Sequence, residues 1–285
     1  MTIHWFPGHM AKARRLLEEN LGLVDAVIEL RDARMPLSSA NPLLAAIMGD
    51  KTRLIALTKP DLAAEMATTR FVAYFAHQGL AAIKVNARDG RGTKELLQQV
   101  KALVTPKLPR DKAGGRALRG VRVMVAGIPN VGKSSLINSL SGRAAARTGA
   151  LPGLTQAKQW INLPDGTQVL DTPGLLWPRL DDPEVAFRLA VTGAISEAGF
   201  DVTDLAGNLA AFLAQAHSGP FKQHFRLEGE LPSTGPELLE LLGQKRGCLL
   251  GGGRIDHNRI AEILLREFRE GKVGRFTLDQ VPDHA

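Results

Sequence analysis

Gly127-Ile128-Pro129-Asn130-Val131-Gly132-Lys133-Ser134 fits the pattern G-x-x-x-x-G-K-[ST] at every fixed position. The β-branched run at 121–126 before it reads as a buried strand, and residues 135–140 after it read as a helix. Strand, glycine loop and helix in that order turn a pattern match into a phosphate site. The glycines let the backbone curl until successive N–H groups point at phosphate oxygens, and the helix N-terminus adds partial positive charge. Asn130, Val131, Gly132, Lys133, Ser134 and Ser135 are the candidate phosphate contacts. Lys133 is the cation expected at the outer phosphates, with a part in catalysis, and the Ser134 hydroxyl is expected on magnesium.

Working outward, residues 24–30, 53–58 and 82–86 read as strands, and 41–48, 62–77 and 93–104 as helices. Such alternation implies parallel β-α-β units, hence an α/β, doubly wound fold with both faces of its sheet covered. After the phosphate loop, residues 158–163 and 167–171 read as a hairpin around the Pro164-Asp165-Gly166 turn. From Asp182 onward the pattern changes. Residues 184–195, 203–215, 236–242 and 257–270 are helical with no strand between them, which makes a small all-helical domain with a basic side. The expected division is 1–180 for the sheet domain and 181–285 for the helical one.

Asp171-Thr172-Pro173-Gly174 is a D-x-x-G sequence closing a strand. Its aspartate can hold magnesium through a water, and the Gly174 N–H can meet a γ-phosphate. In the polar loop at 143–156, Thr155 is the hydroxyl expected on the same metal, with Thr148 as the alternative. The loops at 143–180 are therefore the expected switches. Thr58-Lys59-Pro60-Asp61 ends the strand from 53 and fits [NT]-K-x-D, the guanine-reading signature. An ionised carboxylate accepts from guanine N1–H and the 2-amino group together, a donor pair that adenine lacks. Asp61 therefore points to GTP and GDP over ATP. Asn86-Ala87 ends the next strand, where a backbone N–H would face the guanine oxygen.

All four signatures close expected strands, as ligand loops of an open α/β sheet should. Their order is the unusual part. The guanine-reading elements precede the phosphate loop, whereas ordinary GTPases place them after it. A doubly wound sheet tolerates this when its usual ends lie close and a linker joins them. The Pro-, Gly- and Lys/Arg-rich segment 105–120 stands where that linker must be. The chain thus reads as a circularly permuted P-loop GTPase domain followed by helices. The segment after Gly174 then runs directly into the helical domain, so γ-phosphate loss would relax a segment joined to that domain.

The 285 residues suffice for one large or two ordinary domains, and the formal net charge is +7. Such a balance fits either nucleic-acid binding through phosphates or a solvated basic surface. One Tyr and ten Phe leave little for base stacking, so any RNA would be read through shape and phosphates. Cys248 is the single cysteine, expected buried and inert, and it excludes an internal disulfide or a cysteine metal cluster. No apolar run reaches the roughly 18 residues that span a bilayer. Charge at 12–19 replaces the apolar core of a signal peptide. The expectation is a cytoplasmic protein, monomeric when free, with no membrane partner.

Many GTPases orient the attacking water with a Gln after the D-x-x-G glycine. Leu175 stands there and cannot hydrogen-bond, so either a partner completes the site or another residue orients the water. His9, beside the Pro7-Gly8 turn, is the candidate, against the alternative of a purely structural histidine.

These motifs, with Trp5-Phe6-Pro7-Gly8-His9-Met10 and Lys245-Arg246-Gly247-Cys248-Leu249, closely resemble the bacterial YlqF/RbgA family of circularly permuted GTPases. The resemblance covers nearly the whole chain. It implies a GTPase that binds a late precursor of the large ribosomal subunit, is stimulated by that particle, and times its release by hydrolysis. It also implies a catalytic role for His9, a hydrophobic residue at Leu175, and an rRNA contact through the basic helical tail. Asn130 matches a phosphate-loop asparagine associated with potassium-assisted GTPases. Thr58 in place of Asn and Asn86 in place of Ser depart from the common pattern and bear on the base contacts. The other readings are a GTPase of another RNA-related process and a non-hydrolysing RNA-binding scaffold. The intact Lys133, Ser134 and Asp171 oppose the scaffold.

Overall fold

The computed structural model describes residues 14–15, 17–108, 119–142, 159–172, 182–195 and 200–282. His9, Thr148, Thr155, Gly174 and Leu175 lie outside these residues, as do most of the expected linker and switches. Asp182–Phe276 form one compact unit, and the described residues on either side of it form another.

The first unit is built on a six-stranded sheet in the order β3-β2-β1-β4-β6-β5. Its strands are β1 (Ala26–Asp32), β2 (Thr52–Thr58), β3 (Ala81–Val85), β4 (Arg122–Gly127), β5 (Gln159–Asn162) and β6 (Gln168–Asp171). All neighbours pair parallel except the β5–β6 hairpin. The register aligns Asp32 with Thr58, Thr58 with Val85, Leu30 with Gly127 and Val125 with Asp171. Parallel pairing thus brings the motif-bearing ends of five strands to one edge.

Helices α1 (Pro42–Ile47), α2 (Glu65–His77), α3 (Thr93–Val104) and α4 (Lys133–Ser141) cover the sheet. On one face, Leu17, Leu21 and Leu44 pack on Val27, Met124 and Leu170, while Phe71 and Phe75 of α2 pack on Ile55 and Leu57. α3 and α4 bury Leu96, Val100, Leu136 and Ile137 as they contact the sheet. This is the doubly wound arrangement expected from the alternation. β1 is buried along its whole length although it contains Glu29, Arg31 and Asp32. The charges persist because they pair: Arg31 Nε donates to Glu29 Oε1 at 2.9 Å and Arg53 Nε to Glu29 Oε2 at 2.6 Å.

Several boundaries differ from the sequence reading, two of them for evident local reasons. α2 starts at Glu65 instead of 62, because Lys59 adopts a left-handed φ of 54° and Leu62 N–H closes a turn onto its carbonyl. Thr105–Lys107, expected in the linker, continues α3 as a 3-10 turn.

The second unit contains α5 (Pro183–Val191), α6 (Val202–Ala216), α7 (Ser218–Phe225), α8 (Gly235–Arg246) and α9 (His257–Arg269). α6 is its centre: Leu205, Leu209 and Leu213 are buried where it meets α8 and α9. Cys248 is buried. The unit closes at Phe276 and not at the chain end, because Thr277, Leu278 and Asp279 bond within the first unit. Nor is it basic overall. Residues 182–276 hold eleven Lys/Arg and thirteen Asp/Glu. Its positive charge is concentrated in sequence, since 245–275 carry eight Lys/Arg against four Asp/Glu.

Candidate nucleotide-binding site

The site is assembled at the C-terminal edge of the sheet. β4 ends at Gly127, where an added Cβ would lie 2.9 Å from both the Leu30 carbonyl oxygen and Val131 Cγ1. Only glycine lets the loop leave β4 so close to β1. Gly132 has a φ of 107° and turns the loop into the N-terminus of α4, which L side chains rarely allow. Asn130 also sits left-handed at φ 55°.

Lys133 is buried, and its Nζ donates to the carbonyls of Ile128 at 2.9 Å and Gly127 at 3.2 Å. Burial pushes its ammonium down to about 8, with Asp171 opposing and Lys59 adding to the shift. The ammonium is thus poorly compensated, as suits a group that meets anionic phosphates. Ser134 is half-buried in the first turn of α4, and Ser135 is exposed beside it.

Asp171 is buried at the end of β6, and its Oδ1 has no hydrogen-bond partner among the described residues. Burial pushes its carboxyl up, against the opposing pull of Lys133. Thr172 Oγ1 donates to the Val125 carbonyl at 2.9 Å and ties the strand end to β4. A buried carboxylate oxygen left without a donor is a place for a cation. Carboxylate and hydroxyl oxygens are hard donors suited to magnesium, which binds through one or two protein oxygens plus phosphates. The residues present fit the metal.

The Thr58-Lys59-Pro60-Asp61 strand end meets the phosphate loop directly. Thr58 Oγ1 donates to the Val131 carbonyl at 2.7 Å and lies 3.2 Å from that of Arg31. Lys59 Nζ donates to the Asn130 carbonyl at 2.7 Å. The Thr58 side chain is thus engaged by the loop. Pro60 and Asp61 follow, half-buried, in the turn before α2. Asn86 accepts from Arg88 N–H at 2.9 Å and donates to Asp89 at 3.0 Å, so it shapes the loop that carries Ala87. That loop converges on the first: Arg91 feels the charge of Asp61, and Lys59 that of Arg88.

One constellation was missed in the sequence. Asp32, at the end of β1, accepts from Lys59 Nζ at 3.0 Å and from Arg34 Nη2 at 2.8 Å and Nε at 3.0 Å. Burial pushes the Asp32 carboxyl up, but the Arg34 and Lys59 cations outweigh it and hold it well below the usual carboxylate range. The available signal was Arg31-Asp32-Ala33-Arg34, charges at the end of a strand that must lie between β2 and β4.

A sheet whose strand ends bring a phosphate loop, a D-x-x-G aspartate and a T-K-x-D sequence together in permuted order defines a circularly permuted P-loop GTPase. Comparison with known proteins sharpens this. A family described as 50S ribosome-binding GTPase matches residues 122–218. Ribosome biogenesis GTPase A of Bacillus cereus is 45% identical over 98% of this chain and 94% of its own length. The Thermotoga maritima protein of the same name is 31% identical over 98% and 95%. The crystal structure of GNP-bound YlqF from T. maritima superposes with a TM-score of 0.66 at 28% identity, covering 94% of this chain and 98% of that one. This chain belongs to the ribosome biogenesis GTPase A family.

Proposed function

We propose that this GTPase is an assembly factor for late maturation of the large ribosomal subunit. It binds the precursor particle and its rRNA in the cytoplasm, as a monomer when free, and leaves on hydrolysis of GTP to GDP and phosphate. The observation that carries this reading is kinship along 98% of the chain with proteins named for ribosome biogenesis. Among the described residues, no helix is long and apolar enough to cross a membrane.

In this reading Asp61 accepts from guanine N1–H and the 2-amino group, and the Asn86-Ala87 loop offers a backbone N–H to the guanine oxygen. Thr58 and Lys59 fix the phosphate loop from behind. Backbone N–H groups at Asn130, Val131, Gly132 and Ser135 surround the phosphates, and Lys133 neutralises charge that builds on the outer ones. Ser134, Asp171 and Thr155 would hold magnesium, which supplies charge neutralisation and alignment of the phosphate oxygens when bound. Gly174 N–H marks the γ-phosphate, and His9 orients the water that Leu175 cannot. Asn130 offers a side-chain oxygen to a potassium ion, for which turnover in potassium against sodium, with Asn130→Ala alongside, is the check. Lys245, Arg254, Arg259 and Arg275, exposed and without ion pairs among the described residues, supply the rRNA contact.

Co-sedimentation with large-subunit precursors tests the timing. Retention with a non-hydrolysable GTP analogue and release with GDP are expected; equal retention with both contradicts it.

A further inference from the structure

The chain does not end at the second unit. After Phe276, residues 277–281 form a strap on the first unit that grips both loops flanking Lys59. On one side, Asp279 Oδ2 accepts from Leu37 N–H at 2.6 Å and Ser38 N–H at 2.9 Å, and Oδ1 accepts from Ser38 Oγ. Leu278 N–H donates to the Arg34 carbonyl at 2.6 Å. On the other side, Thr277 Oγ1 accepts from Ala64 N–H at 3.2 Å, three residues beyond Asp61. Ala64 is the N-cap of α2 and has no side-chain cap of its own; Thr277, 213 residues away, satisfies the backbone N–H of that N-cap residue. Val281 packs against the cluster of Phe71 and Phe75.

The gripped loop leads to the nucleotide site in three steps. Ser39 Oγ donates to Met35 carbonyl at 2.6 Å and accepts Asp32 N–H at 3.0 Å. Asp32 holds Lys59 Nζ, and Lys59 holds the Asn130 carbonyl of the phosphate loop. Asp279 is 5% exposed, and a buried carboxylate sustained by three donors on one loop fixes that loop's shape. We propose that Asp279 is a positioning residue for guanine recognition: it sets the loop at 35–39, through it Asp32 and Lys59, and so the geometry in which Asp61 meets the base. The inference rests on the reading of Lys59 and Asp61 as base-reading residues.

The test compares Asp279→Ala, Asp279→Asn and Thr277→Val in the full chain. Affinity is measured for GDP, for inosine diphosphate, which lacks the 2-amino group, and for inorganic triphosphate as a competitor. Asp279→Ala is expected to weaken GDP binding about tenfold, to narrow the preference for GDP over the inosine nucleotide, and to weaken inorganic triphosphate binding distinctly less than GDP binding. Asp279→Asn, which keeps one acceptor oxygen, recovers part of the affinity. Equal losses for GDP and inorganic triphosphate mean a general structural role and overturn the proposal, as does unchanged GDP affinity. Asp61→Asn is run alongside. If it loses guanine preference while Asp279→Ala keeps GDP affinity, the strap claim alone falls. If Asp61→Asn keeps guanine preference, the base-reading assignment falls and the strap claim with it.

Discussion

Thr58 has one proton and two carbonyls within reach, and the shorter distance gives it to Val131 in the phosphate loop. Thr58→Val keeps the shape and removes the donor, leaving the carbonyl of a buried residue without its partner. The expected cost is about 1–3 kcal/mol of stability, read from denaturant unfolding, together with weaker GDP binding. Unchanged stability and affinity would remove the tether. Lys133 carries a pH prediction of defined sign. Its folded pKa, about 8, lies below the ordinary lysine value, so the folded protein binds fewer protons than the unfolded chain above that pH. Stability from this group therefore rises as pH climbs through about 8 toward the unfolded value. Phosphates reverse the shift. At pH 8, GDP binding should take up about half a proton, measured by calorimetry in buffers of different ionisation enthalpy. Zero uptake contradicts the buried, charge-poor setting of Lys133.

β4, the phosphate loop and α4 form one device whose tightest point is Gly127. Gly127→Ala pushes a methyl to 2.9 Å from β1 backbone and from Val131. Displacing β4 or the loop should cost about 1–3 kcal/mol and lower nucleotide affinity well beyond the change in stability. Titration of GDP into the variant checks it, and wild-type affinity would refute the close approach. This element was legible in the sequence because glycines, lysine and flanking strand all act within a few residues of each other. α3 was legible for a similar reason: Leu96, Val100 and Val104 repeat at helical spacing on its buried side. α7 was not seen, because Gly219-Pro220 reads as a break, yet proline is tolerated in a helix's first turn. The strap was invisible for a deeper reason. Thr277, Asp279 and Val281 show no period, and their partners at 34–38, 64 and 71–75 are some 200 residues away. Asp32 falls between these cases: its charge was visible, but its link to Lys59 depends on β1 lying beside β2.

Across the molecule, charge is distributed unevenly. The formal excess of +7 does not come from residues 182–276, which are slightly acidic in total; it belongs to the sheet-bearing part of the chain, while in the helical unit basic residues outnumber acidic ones along 245–275 and form its proposed basic side. If that side contacts rRNA, Lys245→Ala, Arg254→Ala and Arg259→Ala combined should lower the slope of log affinity against log salt by about two to three. An unchanged slope would move the RNA contact to the sheet-bearing unit. The central claim, a GTPase set off by the ribosomal particle, is tested most directly by turnover. GTP hydrolysis is measured in potassium buffer, alone and with purified large ribosomal subunits, for the natural chain and for His9→Ala. Strong stimulation by the particle, lost in the variant, is the predicted result; hydrolysis that the particle does not raise would contradict it.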